Sequence, residues 1–520
     1  MTDQTIETLL AINGPVAIVL KQYLRPVEGI GEPIFPPTYP MPTYRGRVLT
    51  VRDGEYRVSV ELPPFRPGAK EEKSQDVAGY NIDEFKDGTN VCEIDSPQSQ
   101  ANRLEPIFET IADGKLVPQI EIKVGQDTRV NLLVAGHRAA DAVVRFSSLA
   151  AEFDAAFNDV RKGSHLKLAR LAPTSILFGV WDSRGTQVKL PRILKSEIRA
   201  TNVSQCTKSA QFNPAAEFVQ LGAIDEALDK GEGENNPVGA EGMKHVPAPR
   251  TAGGVKVRGD IKRVVRINLV AVRDLRAHNE DGALDGEKTR TLQRYILGLA
   301  LVAATHPLPM NLREGCLLCG IDDEEYKETV RAVQFDGKEN DISFDPEDVE
   351  SFAIKAAREF FGERFDTKDQ LDAIFESGVA NKFLGMSTDD RKKIARCGPI
   401  TADAIRQFEE KGKDPLKLVS DCIKEAKKSL PTKPKKSDPP VVSPESLSPV
   451  SAKLEELMAD EQIDQSVKDF AEELRQYIAA DTDSYATFKG LDEKIKAFNK
   501  QRKEAVAAPQ SEESAAPEPA

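Results

Sequence analysis

The stretch Pro173-Thr-Ser-Ile-Leu-Phe-Gly-Val-Trp-Asp-Ser-Arg-Gly-Thr-Gln-Val-Lys-Leu-Pro-Arg192 governs how the rest of the chain is read. It lies within residues 161–210, where ten Lys or Arg face two acidic residues, Asp182 and Glu197, a local balance of +8. The whole chain carries −13. Like charges crowded into one segment repel, and a polyanionic partner would offset that repulsion. A solvated basic face without a partner satisfies the same count, so charge alone leaves both readings open. A second basic segment, residues 255–276, holds seven basic and two acidic residues, net +5. Residues 321–350 carry twelve acidic and three basic residues, net −9, and are expected to point away from nucleic acid.

Working outward, the flanking pattern alternates between periods. Helical spacing runs from Ser96 through Leu104, Ile107, Phe108 and Ile111, and again from Gly136 through Ala139, Ala142, Val143 and Phe146. Strands are predicted at Val117–Val124, Arg129–Val134, Ser175–Val180, Gln187–Val203, Val255–Ile261 and Val264–Val272. Strands and helices mixed in this order, without regular βα units, predict an α+β fold rather than a doubly wound parallel sheet. Upstream, residues 3–24 read as an amphipathic helix interrupted at Gly14-Pro15, and Arg47–Val51 with Tyr56–Leu62 read as a hairpin through Asp53-Gly54. Residues 63–90 and 222–254, the latter with seven Gly and three Pro, read as loops.

Beyond residue 280 the chain reads as mostly helical to about Ser429, with Asp345-Pro-Glu-Asp as a helix start. Six prolines between Pro431 and Pro449 mark a linker. Ile463, Val467, Phe470, Leu474, Tyr477 and Ile478 then predict one amphipathic helix, and Phe488, Leu491, Ile495 and Phe498 a second. The last seventeen residues, rich in Ala, Pro, Ser and Glu, are expected to be disordered.

With 520 residues, 40% hydrophobic and 30% charged, the chain can build two or three ordinary domains and is too polar for a membrane protein. Its most apolar run, Tyr295–Thr305, is about half a membrane span and reads as a buried helix. No secretory pattern opens the chain, so a cytoplasmic location is expected. Six cysteines are scattered, and only Cys316-Leu-Leu-Cys319 has metal-like spacing. A closed zinc site needs two further ligands. The nearest histidine is His306, and two buried thiols are the competing reading, so neither metal nor cofactor is expected.

Four ordered blocks carry a family resemblance over roughly residues 30–320: Asp95-Ser-Pro-Gln-Ser-Gln-Ala-Asn-Arg-Leu-Glu105, Gly136-His-Arg-Ala-Ala-Asp-Ala-Val-Val-Arg145, Phe178-Gly-Val-Trp-Asp-Ser-Arg-Gly-Thr-Gln187 and Leu292-Gln-Arg-Tyr-Ile-Leu-Gly-Leu299. Phe35-Pro-Pro-Thr-Tyr39 also fits. The chain resembles the type I-G (earlier I-U) CRISPR backbone family, a branch of the RAMP superfamily of RNA-binding proteins. The resemblance implies a ferredoxin-like (RRM-like) palm in residues 1–320, with insertions at 63–90 and 222–254. A helical subdomain (321–430), a Pro-rich linker (431–450), a small helical domain (451–503) and a tail (504–520) follow. It implies a non-catalytic subunit that oligomerises along CRISPR RNA in a Cascade complex for antiviral defence, meeting target DNA through that RNA, further copies of itself and other Cascade subunits, with no membrane.

Such a subunit needs cations spaced along phosphates and flat groups to stack on bases, because pairing supplies the sequence readout. The resemblance then makes Arg103, Arg138, Arg145, Arg184, Lys189, Arg192, Arg199 and Lys208 candidates for phosphate, followed by Gln211. Lys256, Arg258, Lys262, Arg263 and Arg266 come from the second basic segment. Lys208 stands where an Arg is expected before Ser209, a point charge without the guanidinium fork. Trp181 reads as a stacking surface or as a half-buried core aromatic, and His137 as a ribose or base contact or as a structural residue. The rival class is a RAMP endoribonuclease using Asp141 or Asp182. Each has an Arg within three residues, Arg138 and Arg184, so an ion pair holding the backbone competes with catalysis.

Overall fold

The computed structural model describes residues 3–40, 43–44, 47–52, 55–58, 78–231, 236–362, 371–412, 415–428, 430, 442–459 and 463–507. The chain divides into two compact units, residues 1–381 and 382–520. The first is α+β, the second helical. Among the described residues no helix is long and apolar enough to cross a membrane. The Asp53-Gly54 turn, most of the 63–90 insertion, most of the Pro-rich linker and most of the tail lie outside the described residues.

The strands that matter to function are β1 (Ala17–Pro26), β2 (Asn90–Asp95), β3 (Leu194–Thr201), β4 (Val203–Phe212), β5 (Val246–Val257), β6 (Ile261–Asn268), β7 (Cys316–Gly320) and β8 (Thr329–Val333). The helices are α1 (Pro97–Leu104), α2 (Pro173–Leu177), α3 (Gly286–Thr305) and α4 (Pro346–Phe361). Within the main sheet β1 pairs with β6, β6 with β3 and β3 with β2, each antiparallel. On its other side β1 pairs antiparallel with both β7 and β8. Strand alternation decides which side chains go in: Ile18, Leu20, Leu24, Val265, Ile267, Leu194 and Ile198 are buried. Their neighbours Val19, Lys21, Lys195, Arg199, Val264 and Arg266 are half-buried or exposed.

Helix α3 lies at the centre of the larger core. Asp285 caps its start by accepting from Lys288 N at 2.9 Å. Tyr295, fully buried, donates its hydroxyl to Leu116 O at 2.8 Å and stacks on Phe360 of α4 at 4.7 Å. A Cβ on Gly298 would stand 3.1 Å from Ala353 Cα, so glycine lets α3 and α4 approach closely. Asp345 caps α4 as its sequence predicts, accepting from Glu347 N and Asp348 N. In the second unit the predicted three-and-four spacings become helices Gln465–Ala479 and Ser484–Ala507. They share a core in which Phe470, Leu474, Phe488 and Leu491 are buried.

Several sequence readings are corrected. The amphipathic helix predicted over 3–24 ends at Leu10, and residues 17–26 are strand, because a period of two buries Ile18 and Leu20 against the sheet. The strand predicted at Ser175–Val180 is mostly helix α2 with Pro173 at its start, followed by the short strand Val180–Trp181. A short, wholly buried apolar run carries no period that separates helix from strand. The predicted strand over Gln187–Val203 is broken into Lys189–Leu190 and β3. Asn202, at φ 54°, then redirects the chain into β4. The loop predicted over 222–254 gives up its last third to β5, which begins at Val246. Pro247 and Pro249 are tolerated there because, among the described residues, the ribbon has two strands and both are edges. The region beyond 280 is less helical than predicted, since β7 and β8 add to the sheet, the latter through the β-branched run Thr329-Val-Arg-Ala-Val333.

Candidate nucleic-acid interface

Two buried polar networks hold the quoted blocks in place. Asp95, 0% exposed at the end of β2, accepts at Oδ2 from Gln100 Nε2 (2.6 Å) and Arg103 Nε (3.1 Å), and at Oδ1 from Arg313 Nη2 (3.1 Å). Gln100 and Arg103 sit on one face of α1, three residues apart, which is why one carboxylate reaches both. The network continues as Ser196 Oγ donates to Gln100 Oε1 at 2.7 Å, while Arg263 Nε donates to Ser196 Oγ at 3.2 Å.

In the second network Arg138, 3% exposed, donates from Nε to Glu105 Oε2 at 2.7 Å. It also reaches Gly179 O at 3.3 Å and lies over the Phe178 ring, 5.5 Å from its centroid. Burial pushes the Glu105 carboxyl up to about 7 against the pull of the Arg138 charge. The first three blocks therefore converge on one side chain, Arg138.

Past α2 the chain must turn sharply, and Gly179 takes φ +80°. A Cβ at this position would stand 3.0 Å from both Leu190 O and Arg192 Cγ, which leaves no room for a side chain. Gly179→Ala is expected to cost about 1–3 kcal/mol in urea unfolding, since an L side chain would be strained there and would press on the next strand. A neutral result would refute this account of the turn.

Asp182 shapes the loop that follows, accepting from Gly185 N (3.0 Å), Thr186 N (2.6 Å) and Thr186 Oγ1 (2.8 Å). Arg145 Nη2 holds the same loop by donating to Arg184 O at 2.9 Å. The outer surface of this loop presents Trp181, 58% exposed, with Lys189 Nζ 5.4 Å from its ring centroid, and the exposed Arg184. Trp181 is thus a surface aromatic, not a core one.

The outward face of the sheet continues the positive charge. Register places Lys195 directly opposite Arg266, and Arg199 opposite Lys262. On the next strand Val19 stands opposite Arg266, and Tyr23 opposite Lys262, whose Nζ lies 4.8 Å from the Tyr23 ring centroid. Like charges directly opposite each other destabilise a sheet. Glu197 relieves part of this by pairing with Lys195 (2.8 Å) and Arg199 (3.1 Å). Arg266 is exposed and has no ion pair among the described residues. The β4–β5 ribbon follows from the end of β3 and carries exposed Lys208, Gln211, Lys256 and Arg258 at or beside its strands. Arg258 Nε donates to Ser204 Oγ at 3.2 Å.

The predicted site residues therefore separate. Arg184, Lys189, Trp181, Arg199, Arg266, Lys208, Gln211 and Arg258 are exposed, as is His137 at the start of a short 3-10 turn. Arg145 and Arg192 are partly buried, and burial lowers the pKa of each. Arg192 also donates from Nη2 to Gln98 Oε1 at 2.8 Å. Arg138 and Arg263 are inside, each 3% exposed, and Arg103 directs its guanidinium to Asp95 and to Leu312 O at 2.6 Å.

Sequence reasoning does not single out Asp95, Gln100, Glu105 or Tyr23. The spacing of Asp95, Gln100 and Arg103 around a helix start is the available signal for the first two. The Asp–Arg pairs anticipated between Asp141 and Arg138, and between Asp182 and Arg184, do not form. Arg138 turns to Glu105, Asp141 caps a helix by accepting from Val143 N, and Asp182 accepts from its own loop. Cys316 and Cys319 share β7, and burial raises the Cys316 thiol to about 11.

Residues 18–205 match the family model described as CRISPR-associated protein GSU0053. That span holds most of both buried networks, the Trp181 loop, strands β2 and β3 and nearly all of β1. The match supports a CRISPR-associated protein. No curated protein matches the chain.

Proposed function

We propose that the chain is a non-catalytic subunit that binds CRISPR RNA and stacks in successive copies along it, as the backbone of a type I-G Cascade complex engaged in antiviral defence. One observation carries the reading: the cross-strand opposition of Lys195 with Arg266 and Arg199 with Lys262 on an open sheet face. Such an arrangement costs stability in the free chain and is offset when a polyanion lies over it. The family match is consistent with it, because a CRISPR-associated protein works among nucleic acids and other CRISPR components.

The strand order also supports a ferredoxin-like palm. Read across the sheet it runs β8, β1, β6, β3, all antiparallel, with α3 between β6 and β8 in the chain. The fourth, first, third and second strands of a βαββαβ unit fall in that order. On this palm the Trp181–Lys189 pair offers a stacking surface for a base, and Arg184, Arg199 and Arg266 hold the sugar-phosphate chain without reading its sequence.

Co-expression with a repeat-containing guide RNA, followed by mass measurement, is expected to give particles with several protein copies on one RNA. Incubating the purified protein with that RNA in EDTA and in magnesium is expected to retard the RNA without cutting it. Cleavage in either buffer would replace the proposal with the endoribonuclease reading. Failure to bind at low ionic strength would remove both.

A further inference from the structure

We propose that a cavity on the buried side of the sheet is a binding site for a small oxyanion, a phosphate or a carboxylate, held by Arg263. The cavity has a volume of about 340 Å³ and is lined by Gln22, Arg263, His306, Met310, Cys319 and Glu328, among others. Register sets Gln22 directly opposite Arg263, so the two side chains enter the same space from neighbouring strands.

Arg263 is 3% exposed and its polar atoms are incompletely used. Nε donates to Ser196 Oγ, a neutral acceptor that does not answer the positive charge. Nη2 has no hydrogen-bond partner, and neither has Gln22 Oε1. Among the described residues no carboxylate makes an ion pair with Arg263. Burial lowers the guanidinium to about 10, with Glu328 pulling it back up, so it stays charged at neutral pH. A buried cation whose nearest carboxylate, Glu328, acts on it without a direct ion pair is costly, whereas an oxyanion supplies both a charge in contact and acceptors matched to the guanidinium fork.

Glu328 faces the same cavity, and burial raises its carboxyl. Its charge tempers the affinity for an anion and makes it the natural handle for a test. The site does not depend on the RNA reading. Arg263 points to the buried side of β6, while its neighbours Lys262 and Arg266 point to the open side.

The test is thermal unfolding of the full chain titrated with inorganic phosphate, with acetate, or with chloride at matched ionic strength. Phosphate or acetate is expected to raise the melting temperature by a few degrees in a saturable way that chloride does not reproduce. The anion that saturates at the lower concentration identifies the class. Arg263→Met should abolish the response, and its melting temperature without anion should be unchanged or higher, because an unpaired buried charge has been removed. Glu328→Gln, at an exposed position on the rim of the cavity, should tighten binding several-fold. No saturable response in the natural protein, or the same response in Arg263→Met, overturns the proposal. So does an unaltered midpoint in Glu328→Gln.

Discussion

Asp95→Ala is expected to lower the unfolding free energy of the first unit by about 3–5 kcal/mol, the range for removing one partner of a buried charged network. Asp95 is fully buried and, among the described residues, is the carboxylate that pairs with both Arg103 and Arg313 while positioning Gln100. Without it two guanidinium groups face each other with no carboxylate between them. The Gln100 amide loses its partner and with it the orientation that receives Ser196. Asp95→Asn keeps the shape and one acceptor, and is expected to lose roughly half as much, in line with the weaker hydrogen bonds of a neutral acceptor. Urea unfolding of both variants checks this. A loss in Asp95→Ala smaller than about 1 kcal/mol would place the network among dispensable surface pairs instead.

The second large effect is on RNA affinity. Reversing Lys195 and Arg266 together to Glu leaves a like-charged pair in the same cross-strand position and inverts the sign of the surface, at the further modest cost of the Lys195–Glu197 surface pair. RNA binding at about 0.1 M salt is expected to weaken at least ~100-fold, and the slope of log affinity against log salt to become shallower by about 1.4, two phosphate contacts at about 0.7 each for a single strand. Circular dichroism of the variant is expected to match the natural protein. Retained affinity, or an unchanged salt slope with weakened affinity, would move the RNA path away from the sheet face.

The features legible in the sequence are those set by local pattern. Charge counts locate the two basic segments that become the Trp181 loop, β3 and β6, and three-and-four spacing locates the two C-terminal helices. The α+β class follows from the alternation of periods. Less legible are short buried runs such as Ser175–Val180 and Val16–Leu20, where hydrophobicity is continuous and the period has too few residues to declare itself.

What depends on the tertiary structure is the division of one basic population into two. Arg138, from one of the quoted blocks, and Arg266, from the second basic segment, are the same residue type, yet one is buried against Glu105 and the other lies on the surface. Their difference comes from a partner 33 positions away and from which side of a strand a side chain leaves. Composition and motif order carry the sign of the charge and the character of the fold, because both are sums over neighbouring residues. Whether a given cation is held inside the molecule or offered to a ligand is a matter of contacts distant along the chain, and no local window contains them.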